Sequence, residues 1–184
     1  MKHIFAVFFI FICISNLQAE PWDFSVDASL MTAQNTYSDN WNGSEAGSLV
    51  WVFGTNALAQ KAISPLVHSK NTLKLSYGQT HSQDAETNKW QTPSKSTDLI
   101  DLESILTFTL GGWADPFAAA RFESQFVDNG NDLYKTVMFN PMKFSETLGA
   151  IKILMTGDKK EWSIRLGAGL REFVIRKVPV NGDK

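Results

Sequence analysis

The run Thr97-Asp-Leu-Ile-Asp-Leu-Glu-Ser-Ile-Leu-Thr-Phe-Thr-Leu110 decides the fold. One parity carries Ile100, Leu102, Leu106, Phe108 and Leu110, and the other carries Asp101, Glu103, Thr107 and Thr109. Alternation with period two sorts side chains onto the two faces of a strand, whereas helical periodicity would mix them.

The pattern spreads in both directions along the chain. Over 117–126, Ala118, Ala120, Phe122 and Phe126 oppose Ala119, Arg121, Glu123 and Gln125. Over 161–177, Trp162, Ile164, Leu166, Ala168 and Leu170 oppose Ser163, Arg165, Gly167, Gly169 and Arg171. Over 71–79, Leu73, Leu75 and Tyr77 oppose Thr72, Lys74, Ser76 and Gly78. Less regular alternation marks 23–32, 47–59 and 143–155, where Glu146 and Lys152 share the parity of Phe144 and Leu148. About seven antiparallel strands follow, with no amphipathic helix among them.

The first nineteen residues read as a secretory signal peptide: Lys2 and His3, then an apolar run from Ile4 to Ile14, then Leu17-Gln18-Ala19 before Glu20. That run is too short for a spanning helix, which needs ~20 residues. The domain is therefore placed at 20–184. The single cysteine, Cys13, lies in the signal, so the exported chain is expected to carry neither disulfide nor thiolate metal site. Composition excludes other classes. Thirteen Phe and six Trp supply a core or a lipid face and rule out disorder. A net charge of -2 without any basic run argues against nucleic acid.

Strands with one apolar and one charged face admit two geometries: a soluble barrel with its apolar face inward, or an outer-membrane barrel with the faces inverted. Connection lengths favour the second. Segments 33–46, 80–96 and 127–142 are long and polar, while 111–116 and 157–161 are short, so loop length sorts onto two ends of the sheet. Segment 60–70, intermediate in length, falls on the short side. Aromatic residues add a second argument. Trp22, Tyr37, Trp41, Trp90, Trp113, Phe117, Tyr134, Phe139, Phe144 and Trp162 fall near expected strand ends, where membrane-interface girdles sit.

Three stretches, Asn35-Thr-Tyr-Ser-Asp-Asn-Trp-Asn-Gly43, Leu73-Lys-Leu-Ser-Tyr-Gly-Gln-Thr-His81 and Ser94-Lys-Ser-Thr-Asp-Leu-Ile-Asp-Leu-Glu103, together resemble an uncharacterised porin-like family of bacterial outer-membrane β-barrels, a domain of unknown function. The resemblance spans about 22–180. It implies an up-and-down transmembrane β-barrel in a Gram-negative outer membrane and brings no catalytic residues.

On this reading Lys74, Asp101, Glu103, Arg121, Glu123, Arg165 and Arg171 line the lumen, with Glu103 expected to meet Arg121 across neighbouring strands. Leu73, Leu75, Leu102, Leu106, Phe108, Phe122, Ile164 and Leu166 face lipid. The expected function is a porin-like or structural membrane component with outer-membrane lipid as its partner. A soluble lipocalin-like barrel binding an apolar ligand is the alternative, and a membrane hydrolase using Ser76, His81 and Asp84 carries little weight. No cofactor or metal is expected, since His68 and His81 stand alone. Glycines 167 and 169 read as space beside Trp162 and Leu166. Because single-chain bacterial barrels use even strand numbers, seven strands predict a sheet completed by further C-terminal strands or by a second copy.

Overall fold

In a computed structural model, residues 21–37, 46–131, 133–157 and 160–180 are described. The signal-peptide segment, Cys13 and Trp41 lie outside them. The described residues are all-β, with no helix. Nine strands occur in chain order: β1 (Asp23–Asn35), β2 (Ser48–Ser64), β3 (Val67–Ser82), β4 (Ser94–Phe108), β5 (Asp115–Ser124), β6 (Val127–Asp128), β7 (Val137–Met138), β8 (Met142–Gly157) and β9 (Lys160–Val174). Seven form one antiparallel meander, β1-β2-β3-β4-β5-β8-β9, and β6 pairs with β7 as a separate hairpin. The sheet is open: β1 and β9 are its two edges, and the expected barrel closure is absent.

Sorting of the connections is stricter than the sequence suggested. The expected loop over 60–70 is instead strand, with β2 and β3 joined across Pro65 and Leu66 alone. Gln60, Lys61, Ser69 and Lys70 look like loop residues by polarity, yet they pair as Gln60↔Lys70 and Lys61↔Ser69. All three connections at this end are now short, and all three at the other end are long.

Two further boundaries move. Strand β5 stops at Ser124, so Phe126 is not part of it. Strand β9 stops at Val174, and the segment beyond folds onto the β5–β8 connection, where Lys135 N–H donates to Val178 O (2.8 Å) and Val180 N–H to Leu133 O (3.0 Å).

Among the described residues no second layer covers the sheet, and its faces differ. On β8, Lys143, Ser145, Thr147, Gly149 and Ile151 are half-buried, whereas Phe144, Glu146, Leu148 and Ala150 are exposed. At the centre, Asp101 and Ile105 on the polar parity are each 6% exposed, and Leu102 on the apolar parity is 44% exposed. Side chains crowd on a concave face and splay on a convex one, so the polar face of the β4–β8 region curves inward.

Candidate functional site

The polar face carries a belt of ionisable groups held in register. One row runs Asp27–Asn56–Lys74–Asp101–Glu123–Lys143–Phe173 across all seven strands of the sheet. The adjacent row contains Thr72–Glu103–Arg121–Ser145–Arg171. All seven charged residues expected on one face lie there, and all eight expected apolar residues lie on the other.

Pairing within the belt departs from expectation. Glu103 is directly opposite Arg121 in register, but the guanidinium turns to the diagonal neighbour. Nε donates to Asp101 Oδ1 (2.8 Å) and an Nη to Asp101 Oδ2 (2.9 Å), with Glu123 Oε1 at 3.5 Å. A two-pronged bond to one carboxylate outweighs a single contact to the residue opposite. Arg171 Nε donates to Ser145 Oγ (3.1 Å). Arg165 lies over the Phe117 ring, 5.1 Å from its centroid.

That ring is the site's unforeseen member. Phe117, expected in a membrane-interface girdle, lies on the polar face and is 4% exposed. It spans the β8–β9 backbone where Gly149 pairs with Gly167. A Cβ on Gly149 would stand 2.7 Å from Phe117 Cε1, and one on Gly167 would stand 3.3 Å from its Cζ. The β9 glycines therefore make room for Phe117 and for β8, not for Trp162 and Leu166, whose parity puts them on the opposite face. Only strand register, which alternation does not encode, brings these residues together.

The long-connection end is braced by a second unforeseen group. The Asp98 carboxylate, 2% exposed, accepts from Phe126 N–H (2.6 Å), Val127 N–H (3.1 Å) and Lys95 Nζ (2.9 Å). Lys95 also donates to Gln125 Oε1 (3.0 Å) and to Val127 O. Phe126 is thereby set edge-on against Tyr77, centroids 6.2 Å apart, with Trp51 beyond. In the β3–β4 connection Asp84 accepts from Thr87 N–H (2.8 Å), Thr87 Oγ1 (2.8 Å) and Glu86 N–H (3.2 Å). These bonds, chiefly those from Thr87, hold its pKa below the ordinary carboxylate value.

The Ser76, His81 and Asp84 trio does not assemble. Ser76 and His81 fall on opposite parities of β3, His81 lies tilted against Trp90 (centroids 4.9 Å apart), and Asp84 is engaged as above. Among the described residues no group of three His, Cys, Asp or Glu could hold a metal ion.

On the apolar face the hydrophobic stretch is oblique. It runs from Phe24 to Leu30 on β1 and from Ile164 to Leu170 on β9, so its centres are level with Asp27 and Gly167. Followed through the pairing, Asp27 reaches β9 at Phe173, six residues from Gly167 after six strand-to-strand steps. The displacement is towards the short turns. Two Trp–Lys pairs repeat the slope: Lys61 lies 5.8 Å from the Trp22 ring and Lys152 lies 5.8 Å from the Trp113 ring. The row through Lys61 passes Ser69, Leu106 and Ala118 to reach β8 at Leu148, four residues short of Lys152 after four steps. One residue per strand, at ~3.3 Å along and ~4.8 Å across, inclines the strands by about 35° to the normal of the apolar band.

A family model with the description "Protein of unknown function (DUF3078)" matches residues 32–129, just over half of the 184-residue chain. The matched stretch takes in β2 to β5 and their connections. No curated protein and no solved structure matches the chain.

Proposed function

The chain belongs to the DUF3078 family of proteins of unknown function, and from that premise we propose that it is an outer-membrane β-barrel protein, porin-like or structural, whose seven-stranded sheet forms part of the barrel wall. The observation that carries the proposal is the oblique apolar band with its Trp–Lys border. Strands of outer-membrane barrels lean by about 35–45° from the membrane normal, so a horizontal hydrocarbon layer must cut successive strands at stepped positions. The same step recurs in the apolar runs and in the Trp–Lys pairs. Trp with a snorkelling Lys is the composition of a membrane–water interface.

Inward curvature of the polar face supports the inversion such a barrel requires, and strictly sorted connections support the two-ended topology of short periplasmic turns and longer outer loops. The Asp101–Arg121–Glu123 belt would then line the lumen and set which solutes pass. Further strands, or another copy pairing at the edges, would close the wall, since an open sheet edge in hydrocarbon leaves backbone groups unsatisfied.

Fractionation of cells expressing the full chain tests the reading. Recovery in the outer membrane, heat-modifiable migration and conductance in a planar bilayer are the expected results. Quantitative release with the periplasmic contents would replace it with the soluble lipocalin-like barrel.

A further inference from the structure

Four polar side chains interrupt the apolar face near the middle of its band. Ser104 Oγ donates to Asn71 Oδ1 (2.7 Å), and Asn71 Nδ2 donates to Ser69 Oγ (3.2 Å). Two strands away in the same row stands Glu146, exposed and with no ion pair or hydrogen bond among the described residues. Between them lies an apolar trough of about 530 Å³ floored by Ala118 and Ala120 and walled by Leu106 on one side and Leu148 on the other. An ionisable residue at bilayer depth is costly in lipid and normally faces a partner.

We propose that this face, centred on β5, is an interface between two copies of the chain within the membrane. The inference rests on the outer-membrane reading and concerns the outer surface of the barrel rather than its open edges. The second copy is favoured because a two-fold axis along the membrane normal keeps every residue at its own depth. Contacts must then join residues at similar depths, each made twice. With β5 on the axis, Glu146 meets Ser104 and Asn71 of the second copy, which differ from it in depth by no more than ~8 Å at ~2.7 Å per residue. A carboxyl group thus faces a hydroxyl oxygen and an amide, Leu148 of each copy enters the other's trough against Leu106, and the alanines on the axis let the two backbones approach.

The test uses the full-length chain in outer membranes. Ala120→Cys should give a disulfide-linked dimer on mild oxidation, whereas Leu30→Cys, on the same face but remote from β5, should not. Ala120→Trp should abolish the dimer in detergent solution while retaining heat-modifiable migration. Glu146→Leu should weaken it, and Glu146→Gln, which keeps the hydrogen bonds, should preserve it. A membrane-inserted protein that stays monomeric, or cross-linking at Ala120→Cys to a species of another mass, overturns the dimer and leaves the barrel standing. Recovery of the unmodified protein in the aqueous fraction overturns the membrane reading, and the dimer with it.

Discussion

Arginine scanning along the outward face of β4 turns the inclination of the band into numbers. With strands leaning by about 35°, each residue advances ~2.7 Å along the membrane normal. On β4 the centre of the band falls at Ser104, three residues from the Asp101 row after three steps. Leu106 then lies ~5 Å from the mid-plane, and Phe108 lies ~11 Å away, close to the edge of an apolar layer ~25 Å tall. Leu106→Arg should lower the unfolding free energy by about 2–4 kcal/mol and Phe108→Arg by only about 0–1 kcal/mol. Thr107→Arg, between them but on the polar face, should cost less than Leu106→Arg. On β8 the centre of the band falls at Leu148, five residues from Lys143 after five steps, so Leu148→Arg should match or exceed Leu106→Arg.

The assay is denaturant titration of protein refolded into phosphatidylcholine vesicles, followed by tryptophan fluorescence. Equal losses at Leu106 and Phe108 would refute the depth argument, because a soluble core penalises both. A loss at Thr107 greater than at Leu106 would refute the assignment of faces.

Three other outcomes follow from the geometry. Gly149→Ala should destabilise the β8–β9 pairing by about 1–3 kcal/mol through overpacking against the Leu166 carbonyl and the Phe117 ring, while Gly54→Ala, whose nearest neighbour is the rotatable Ser29 Oγ at 3.1 Å, should be nearly silent in the same titration. Asp98→Ala leaves the Phe126 and Val127 amides without their acceptor and removes the carboxylate partner of Lys95, and limited proteolysis should then cut within 125–141 at a rate the parent resists. Asp84 titrates below its unfolded value when folded, so its bonds to Thr87 and Glu86 contribute fully above the ordinary carboxylate pKa and are lost as pH falls through the folded one. Hydrogen exchange at the Thr87 amide, corrected for intrinsic rate, should lose protection only on that acid side, and loss at neutral pH would contradict it.

Which residues share a face was legible throughout the sheet, including the irregular β8, because alternation is a local property of the chain. The sorting of connections was legible too, with one error. Lys61, Ser69 and Lys70 have the polarity of a loop, yet their backbone stays in the ladder and the Lys61 ammonium lies 5.8 Å from the Trp22 ring. What alternation cannot supply is register. It could not choose Asp101 over Glu103 for Arg121, lay Phe117 across Gly149 and Gly167, or bring Phe126 to Tyr77. The slope of the band was hidden for the same reason, since it exists only once residues on different strands are compared at one height.

The strands outlast the apolar band. Those of 16 residues, β3 and β8, would rise ~43 Å along the membrane normal of the proposed barrel at the inclination derived above, against a hydrocarbon layer of ~25 Å. The surplus lies mainly on the side of the long connections in β2 and β3, where strand continues beyond Trp51 and Tyr77 to Ser48 and Ser82. In the proposed outer-membrane orientation that side would stand among the sugar chains of the surface glycolipid. In the proposed barrel a collar of hydrogen-bonded sheet would carry the Asp98-braced connection up through them, and phages, antibodies or solutes arriving from outside would meet a platform held above the lipid.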